Sequence, residues 1–418
     1  MALIDRFFNR NNSTEKRLIS SSNFNLGIFE GKNTSAGINL NPDVALSLTG
    51  VYSAVNILAN AISSLPVHVY RKTENYRQLL EPQPQWLDKV SGMVNPETDT
   101  FEFFHRIMTS LLLYGNAYLV ITDRDRQGYP SELYNVHPDD ITIQRQNGTV
   151  IYTVLNQGKE DVPLRRYTSK NPTGTIIHIR AFANGDDLKG LSPIDNCKEA
   201  LGFGKAVELY GSRFFENGTT LSGVIEIDQT PTEEQLRQFM ETWDKHHKGV
   251  QKSHRPGILT GGAKWRNISL PPDQAQFIDS RRFSIEEVAR IFNVPLFLLN
   301  EHTKQTSWGT GLEEQNKAFI QYSVLPWISR LENTFNQLLP RGQFIKFDLN
   351  GYLRGNAKDR TEVYNKLRML GVLTANDIRA LEDMSPIDDP EIGDTYLIPL
   401  NMQIQGLMDD VDSGLEEE

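Results

Sequence analysis

In the last quarter of this 418-residue chain, apolar side chains recur at helical spacing: Ile320, Val324, Ile328, Leu331, Phe335 and Leu338. An average step of about 3.6 residues, kept up over the 19 positions from Ile320 to Leu338, puts all six on one stripe of a helix. A stripe that long has to be covered by other elements, so the chain needs an extended core to receive it. Pro326 lies inside the stretch. It has no N–H for the carbonyl four residues back and its ring collides with that carbonyl, so a kinked helix over 312–339 is expected.

The rest of the chain alternates helical and strand-like patterns. Val51, Val55, Leu58, Ile62 and Leu65 make one helix face, with Thr49 as the expected N-cap and Pro66 as the stop. Val67 and Val69 alternate with His68 and Tyr70, the pattern of a half-exposed strand. The segment EPQPQW reads as a linker. Asp99 and Glu102 have capping-box spacing at the head of a helix to Tyr114. AYLVITDR, DITIQR, VIYTVL and TIIHIR follow as short strands, with Gly128 at a hairpin turn. Ser192 and Pro193 open a long helical pattern that stops near Gly218. A compact β–α–β block follows, then a second long helix to about Phe292 and an aperiodic stretch, NEHTKQTSWGTG. The fold class read from these patterns is α+β.

Composition narrows the partners. The formal charge is −10, but the twelve acidic residues from Glu382 to the C-terminus, unaccompanied by Lys or Arg, leave the first 381 residues at +2. The terminal dozen residues read as a solvated acidic tail. From Glu241 to Arg266 the balance is +4, carried by Lys245, Lys248, Lys252, Arg255, Lys264 and Arg266. This is either a solvated patch or a docking face for an acidic partner or phosphates. The single cysteine, Cys197, excludes an internal disulfide. No apolar run is long enough to span a bilayer, and MALIDRFFNRNN lacks a secretory signal pattern, so no membrane partner is expected and the cytoplasm is the expected site of synthesis.

The residues that catalysis would need do not assemble into a pattern. Gly185 and Gly190 have P-loop glycine spacing, but Leu191 stands where the phosphate-binding lysine belongs. Gly202–Phe203–Gly204 lacks a third glycine. Gly190–Leu191–Ser192–Pro193 is half a nucleophile elbow, and Ser192 is better placed to cap the helix that Pro193 begins. Asp244, His246, His247 and His254 are the richest metal-ligand cluster, yet adjacent histidines on a helix point about 100° apart. No catalytic residue, metal or cofactor is therefore expected.

Four segments, in this order and spacing, carry a resemblance: VYSAVNILANAISSLPVHVYRK, FEFFHRIMTSLLLYGNAYLVITDR, IIHIRAFANGDDLKGLSPID and RRFSIEEVARIFNVPLFLLN. Over roughly residues 45–390 the chain resembles the portal proteins of tailed bacteriophages. The resemblance implies a portal fold and a ring oligomer of about twelve subunits at one capsid vertex. Double-stranded DNA would be packaged through that ring by the terminase large subunit and later ejected. Head-completion or adaptor proteins, the major capsid protein and scaffolding proteins are the other implied partners, and the virion is the implied location.

Carried onto this sequence, 1–44 would be a mobile arm, 45–193 the wing, and 194–217 a stem helix. Residues 218–271 would be the clip, 272–299 the second stem helix, and 300–311 the tunnel loop. Residues 312–352 would be the kinked wing helix and strand, 353–400 a small helical crown, and 401–418 the acidic tail. The tunnel loop would put His302, Lys304, Gln305, Thr306 and Trp308 at the DNA channel, with Lys304 nearest the phosphates and Trp308 an anchor. The basic residues of 241–266 would become the partner-docking face of the clip. Two other classes stay in view. A metal-dependent nuclease would need a carboxylate cluster that the sequence does not offer. A head-completion adaptor would usually be a much shorter chain.

Overall fold

A computed structural model describes residues 34–74, 76–87, 92–155, 162–168, 171–184, 188–216, 223–226, 232–234, 237–238, 264–267, 274–299, 309–349, 357–382 and 384–397. The chain forms two compact units, divided between Phe347 and Asp348. The first begins with α1 (Pro42–Leu46), capped by the Asn41 side chain, and α2 (Thr49–Ser63). Two expectations are corrected at this point. Residues 34–44 are tied down and so do not belong to a mobile arm: Ser35 N–H donates to the Glu199 carboxylate at 3.0 Å, and Thr34 bonds the Ile38 backbone. Leu48, with extended backbone and no side-chain bond, is the N-cap of α2, because Thr49 is already helical.

Strands β1 (Val67–Lys72) and β2 (Arg77–Leu79) follow, then a short turn of 3-10 helix, Gln85–Leu87. That turn buries Trp86 and Leu87, so the segment read as a linker is anchored in the core at its C-terminal end, while Glu81, Pro82 and Gln85 stay exposed. β3 (Met93–Asn95) and β4 (Thr98–Asp99) lead into α3 (Thr100–Tyr114), where the Asp99 carboxylate accepts from Glu102 N–H at 2.6 Å. The expected reciprocal bond is missing because the Glu102 carboxylate pairs with Arg106 one turn on. α3 ends on Gly115 in the left-handed region, at φ 70°. A Cβ there would lie 2.0 Å from the Leu191 carbonyl oxygen, so both the turn and the close approach require glycine.

β5 (Asn116–Arg124), β6 (Pro130–Val136) and β10 (Ile176–Arg180) form an antiparallel sheet with β5 in the middle. β7 (Ile141–Gln146), β8 (Thr149–Val154) and β9 (Val162–Arg165) form a separate meander. The first seven residues of β5 are all buried because both its faces are covered. Tyr118 and Val120 pack with Ile141, Tyr152, Val154 and Leu164 of the meander. The alternate residues Ala117, Leu119 and Ile121 take the other face, on the side where α3 packs.

Two helices follow: α4 (Pro193–Asn196), capped by Ser192, and α5 (Lys198–Glu216). The single long helix expected from Pro193 is thus broken at Cys197, whose backbone leaves the helical region. Beyond α5 lie β11 (Gly223–Glu226) and β12 (Lys264–Asn267), paired antiparallel, and then α6 (Gln274–Phe292). The periodic stretch is not one helix either. It runs as α7 (Gly309–Ala318), a π-helical turn Phe319–Val324, α8 (Leu325–Phe335) and a 3-10 turn Asn336–Leu338. β13 (Gln343–Phe347) then pairs with β1, giving the order β13-β1-β2.

α8 organises this core. Phe335 stacks on Trp86 at 5.4 Å and meets Phe104 edge-on at 5.5 Å, while Phe104 meets Phe347 at 5.2 Å. The same helix closes the free edge of β13. Asn336 Oδ1 accepts from Ile345 N–H at 2.8 Å, Glu332 Oε1 accepts from Phe347 N–H at 3.2 Å, and Glu332 Oε2 pairs with Lys346 at 2.5 Å. Backbone donors that an edge strand would leave open are thereby satisfied.

The second unit contains α9 (Ala357–Met369), α10 (Ala375–Leu381) and α11 (Pro390–Gly393). Thr374 and Asp377 form a reciprocal capping box at α10. Arg360 Nε and Tyr364 Oη both bond the Glu382 carboxylate, at 3.0 and 2.8 Å, which ties α9 to the end of α10.

Replacing Phe335 by Ala should destabilise the first unit by about 3–5 kcal/mol, since it empties the hub of the aromatic cluster. Urea unfolding followed by tryptophan fluorescence would measure this through Trp86, and a midpoint shift within error would refute the hub assignment.

Candidate functional site: a helix pair, its ribbon and a re-registered helix

α5 and α6 run antiparallel. A Cβ on Gly204 would touch Ser284 at 3.4 Å, and one on Gly211 would fall 2.6 Å from the ring of Phe277. Gly204 and Gly211 are two turns apart on one face of α5, and this is what lets α6 approach so closely. The outward positions of the pair are unusually apolar: Phe203 and Tyr210 on α5 and Ile278 and Phe283 on α6 are all exposed. Arg290 holds Glu286 and Glu287 near the end of α6.

The β11–β12 ribbon lies between these helices in sequence. Its register pairs Glu226 with Lys264 and Val224 with Arg266. Lys264 and Arg266 are two residues apart on β12. Lys245, Lys248, Lys252 and Arg255 lie outside the described residues, as does the cluster of Asp244, His246, His247 and His254. Among the described residues, no group of three or more His, Cys, Asp or Glu could hold a metal ion. No described helix is long and apolar enough to cross a membrane.

α6 ends in a Schellman cap. Asn293 takes the left-handed conformation at φ 54°, its N–H bonds Arg290 O, and Val294 N–H reaches back to Ala289 O at 3.0 Å. Its side chain serves a second element: Asn293 Nδ2 donates to the Tyr322 carbonyl at 2.8 Å, and Ser323 Oγ donates to the Asn293 carbonyl at 2.5 Å. Tyr322 is the residue four before Pro326, so its carbonyl is the one to which the proline nitrogen cannot donate. The helical ladder widens to π spacing just before Pro326, which sits second in α8, where a missing N–H costs little. His302, Lys304, Gln305, Thr306 and Trp308, between the 3-10 turn Leu296–Leu299 and α7, lie outside the described residues.

One buried polar network was not foreseen from the sequence. His178 on β10 is almost wholly buried, with Nδ1 3.2 Å from Tyr152 Oη and Nε2 2.9 Å from Asn116 Oδ1. Asn116 Oδ1 also accepts from Gly190 N–H, and Asn116 Nδ2 donates to the carbonyls of Gly190 and Tyr114. Because that oxygen can only accept, His178 must donate through Nε2–H and receive the tyrosine proton at Nδ1. The network pins the GLSP segment to the start of β5. Burial, reinforced by Arg166, Arg180 and Lys189, holds the His178 pKa down at about 3 from its ordinary 6.5. The TIIHIR pattern marks His178 only as a strand position, and nothing in it signals a partner 62 residues away.

Comparison with known proteins decides the family. The Phage portal protein family model matches residues 49–383. The probable portal protein of Streptomyces phage phiC31 is 34% identical over 394 residues, spanning 91% of this chain and 82% of that protein. The chain belongs to the phage portal protein family.

Its fold is the α+β portal fold. A crystal structure of an HK97 family phage portal protein from Corynebacterium diphtheriae superposes with a TM-score of 0.54 at 16% identity, covering 78% of this chain and 99% of that one. The neck of a native gene transfer agent particle, computed with C12 symmetry, superposes at 0.55 with 24% identity, covering 83% and 95%. Portal proteins are a structural family.

Neutral His178 makes portal stability depend on pH in a defined direction. The unfolded chain binds a proton there at about 6.5, but the folded one not until about 3. The contribution is full above pH 6.5 and is lost progressively as pH falls from 6.5 towards 3. His178→Gln should flatten the fall in unfolding free energy between pH 6.5 and 4 by up to about 1.4 kcal/mol per pH unit. Parallel pH profiles for the two proteins would remove His178 as the cause.

Proposed function

We propose that this portal protein assembles into a closed ring of about twelve copies at one vertex of the capsid, through which double-stranded DNA enters and leaves. The observation that carries the reading is the extent of the family match, which runs unbroken from α2 through the helix pair, the ribbon and the Pro326 helix to the end of α10. The twelve-fold symmetry of the gene transfer agent neck supports the subunit number. Closure of a ring requires heterologous contacts, one face of each copy meeting a different face of the next. The exposed aromatic and aliphatic residues on α5 and α6 are suited to such contacts.

In this reading 45–193 is the wing, α5 and α6 are the stem, and 218–271 is the clip that meets terminase and then head-completion proteins. Residues 300–311 are the tunnel loop at the narrowest part of the bore. That loop carries one lysine against one glutamate, and a conduit benefits from near-neutrality. Each phosphate neutralised by a basic side chain adds about 0.9 to the salt slope of DNA binding, so a strongly basic bore would grip its cargo. Residues 348–418 contain the crown and an acidic tail that repels DNA.

Electron microscopy of the purified protein should show turbine-like rings with a central hole; monodisperse monomers at all concentrations would refute the reading. Charge reversal at Lys248 and Lys252 should leave rings intact and weaken terminase docking, most of all at low salt, in a pull-down titrated with NaCl. Docking that is unchanged at low salt would move the terminase site away from the clip.

A further inference from the structure

Among the described residues of the second unit no apolar side chain is buried; the buried positions are Thr374 and Gly393. Its helices are joined by polar bonds: Arg360 and Tyr364 to Glu382, and Asn376 to both Asp394 and Ile387. Val363, Leu370, Val372 and Leu397, by contrast, are exposed. Polar bonds near the surface contribute little to stability, and a small unit of this kind needs apolar cover.

The exposed residues form a stripe. Val363 on α9 and Leu370 at its end are seven residues apart, and so share one face. The helix closes in a Schellman cap: Gly371 is left-handed at φ 68°, its N–H bonds Arg368 O, and Val372 N–H reaches back to Leu367 O at 2.9 Å. Leu367 is one turn from Val363 on the same face, so the cap brings Val372 into line with the stripe. The chain later returns to this point. Asn376 Nδ2 pins Asp394 at 2.8 Å, and three residues on, the Leu397 carbonyl oxygen is 3.3 Å from where a Cβ on Gly371 would lie. The described chain therefore leaves at Leu397, beside the end of the stripe.

Residues 398–418 lie outside the described residues, and their sequence has two parts. Ile398, Leu400, Met402 and Ile404 alternate with Pro399, Asn401, Gln403 and Gln405. That period of two puts the four apolar side chains on one side of an extended segment. No charged residue occurs from 398 to 408, whereas six acidic residues follow between Asp409 and Glu418. The alternating part is thus unlike a solvated tail. At about 3.3 Å per residue, the run from Ile398 to Ile404 spans roughly 20 Å. The 13 residues of α9 cover about the same length at 1.5 Å each.

We propose that residues 398–404 form an extended strap along α9 of the same chain, with its apolar side on Val363, Leu370 and Val372. A segment attached beside its own site acts at a high effective concentration, which favours it over any partner in solution. Pro399 suits such a strap because an extended surface segment needs no ladder donor there. The strap also fixes the point from which the six carboxylates project, so the acidic tail begins at Asp409. It is a contact within one chain and forms with or without a ring.

In full-length protein carrying Cys197→Ser, Leu370→Cys is paired in turn with Leu400→Cys and with Asn401→Cys, and each pair is oxidised at two protein concentrations. The expected result is a disulfide within one chain for the Leu400 pair at both concentrations, and little for the Asn401 pair. Covalent ladders of subunits would assign the stripe to a neighbouring copy and overturn the strap. Thiols left free in both pairs, or equal cross-linking of both, would overturn it as well. Binding of a hydrophobic dye gives a second reading without cysteines. Met402→Asp should raise dye fluorescence severalfold over wild type, and Gln403→Glu, of equal charge, should not. Equal fluorescence from the three proteins would show that nothing had been uncovered and would refute the strap.

Discussion

The first unit depends on how α8 is seated. Phe335 fills the space between Trp86, Phe103 and Phe104, so three segments far apart in sequence share one aromatic cluster. One turn earlier and one residue later, Glu332 and Asn336 bond the backbone of β13. The helix therefore does two jobs: it provides apolar burial, and it satisfies an edge strand that has β1 on its other side only. Burial of the Glu332 carboxylate is tolerated because a backbone N–H and Lys346 both bond it. A slip of α8 by one residue would misplace the ring, the carboxylate and the amide together.

That register is set just upstream, where the helix breaks step. The π turn and Pro326 change which carbonyl meets which donor, and Asn293 takes up the Tyr322 carbonyl from outside the helix. The end of α6 and the start of α8 are thus joined through one left-handed residue.

The β5 sheet has an equivalent joint. Asn116 and His178 bind the GLSP segment to β5, Gly115 allows the backbone to approach, and Ser192 caps α4 while donating to Leu113 O. The segment leading into α4 and α5 is anchored to the β5 sheet by these contacts.

Much of the local structure could be read in the sequence, because it depends on neighbours along the chain. The β7 and β8 strands, the Gly128 turn and the Asp99 and Ser192 caps all follow from residues within a few positions of each other. The segment order that resembles portal proteins was likewise legible, and the family match agrees with it. What the sequence could not determine depends on separation. Trp86 looked like part of a linker because its partner Phe335 lies some 250 residues on. The stripe from Ile320 to Leu338 announced burial, but only packing against Asn293 and β13 decided that its ladder would change from α to π and back. His178 and Asn116 carry no local pattern at all. Backbone chemistry and periodicity fixed the elements, whereas the pairing of buried polar groups, which must find partners wherever the fold places them, belonged to the tertiary structure.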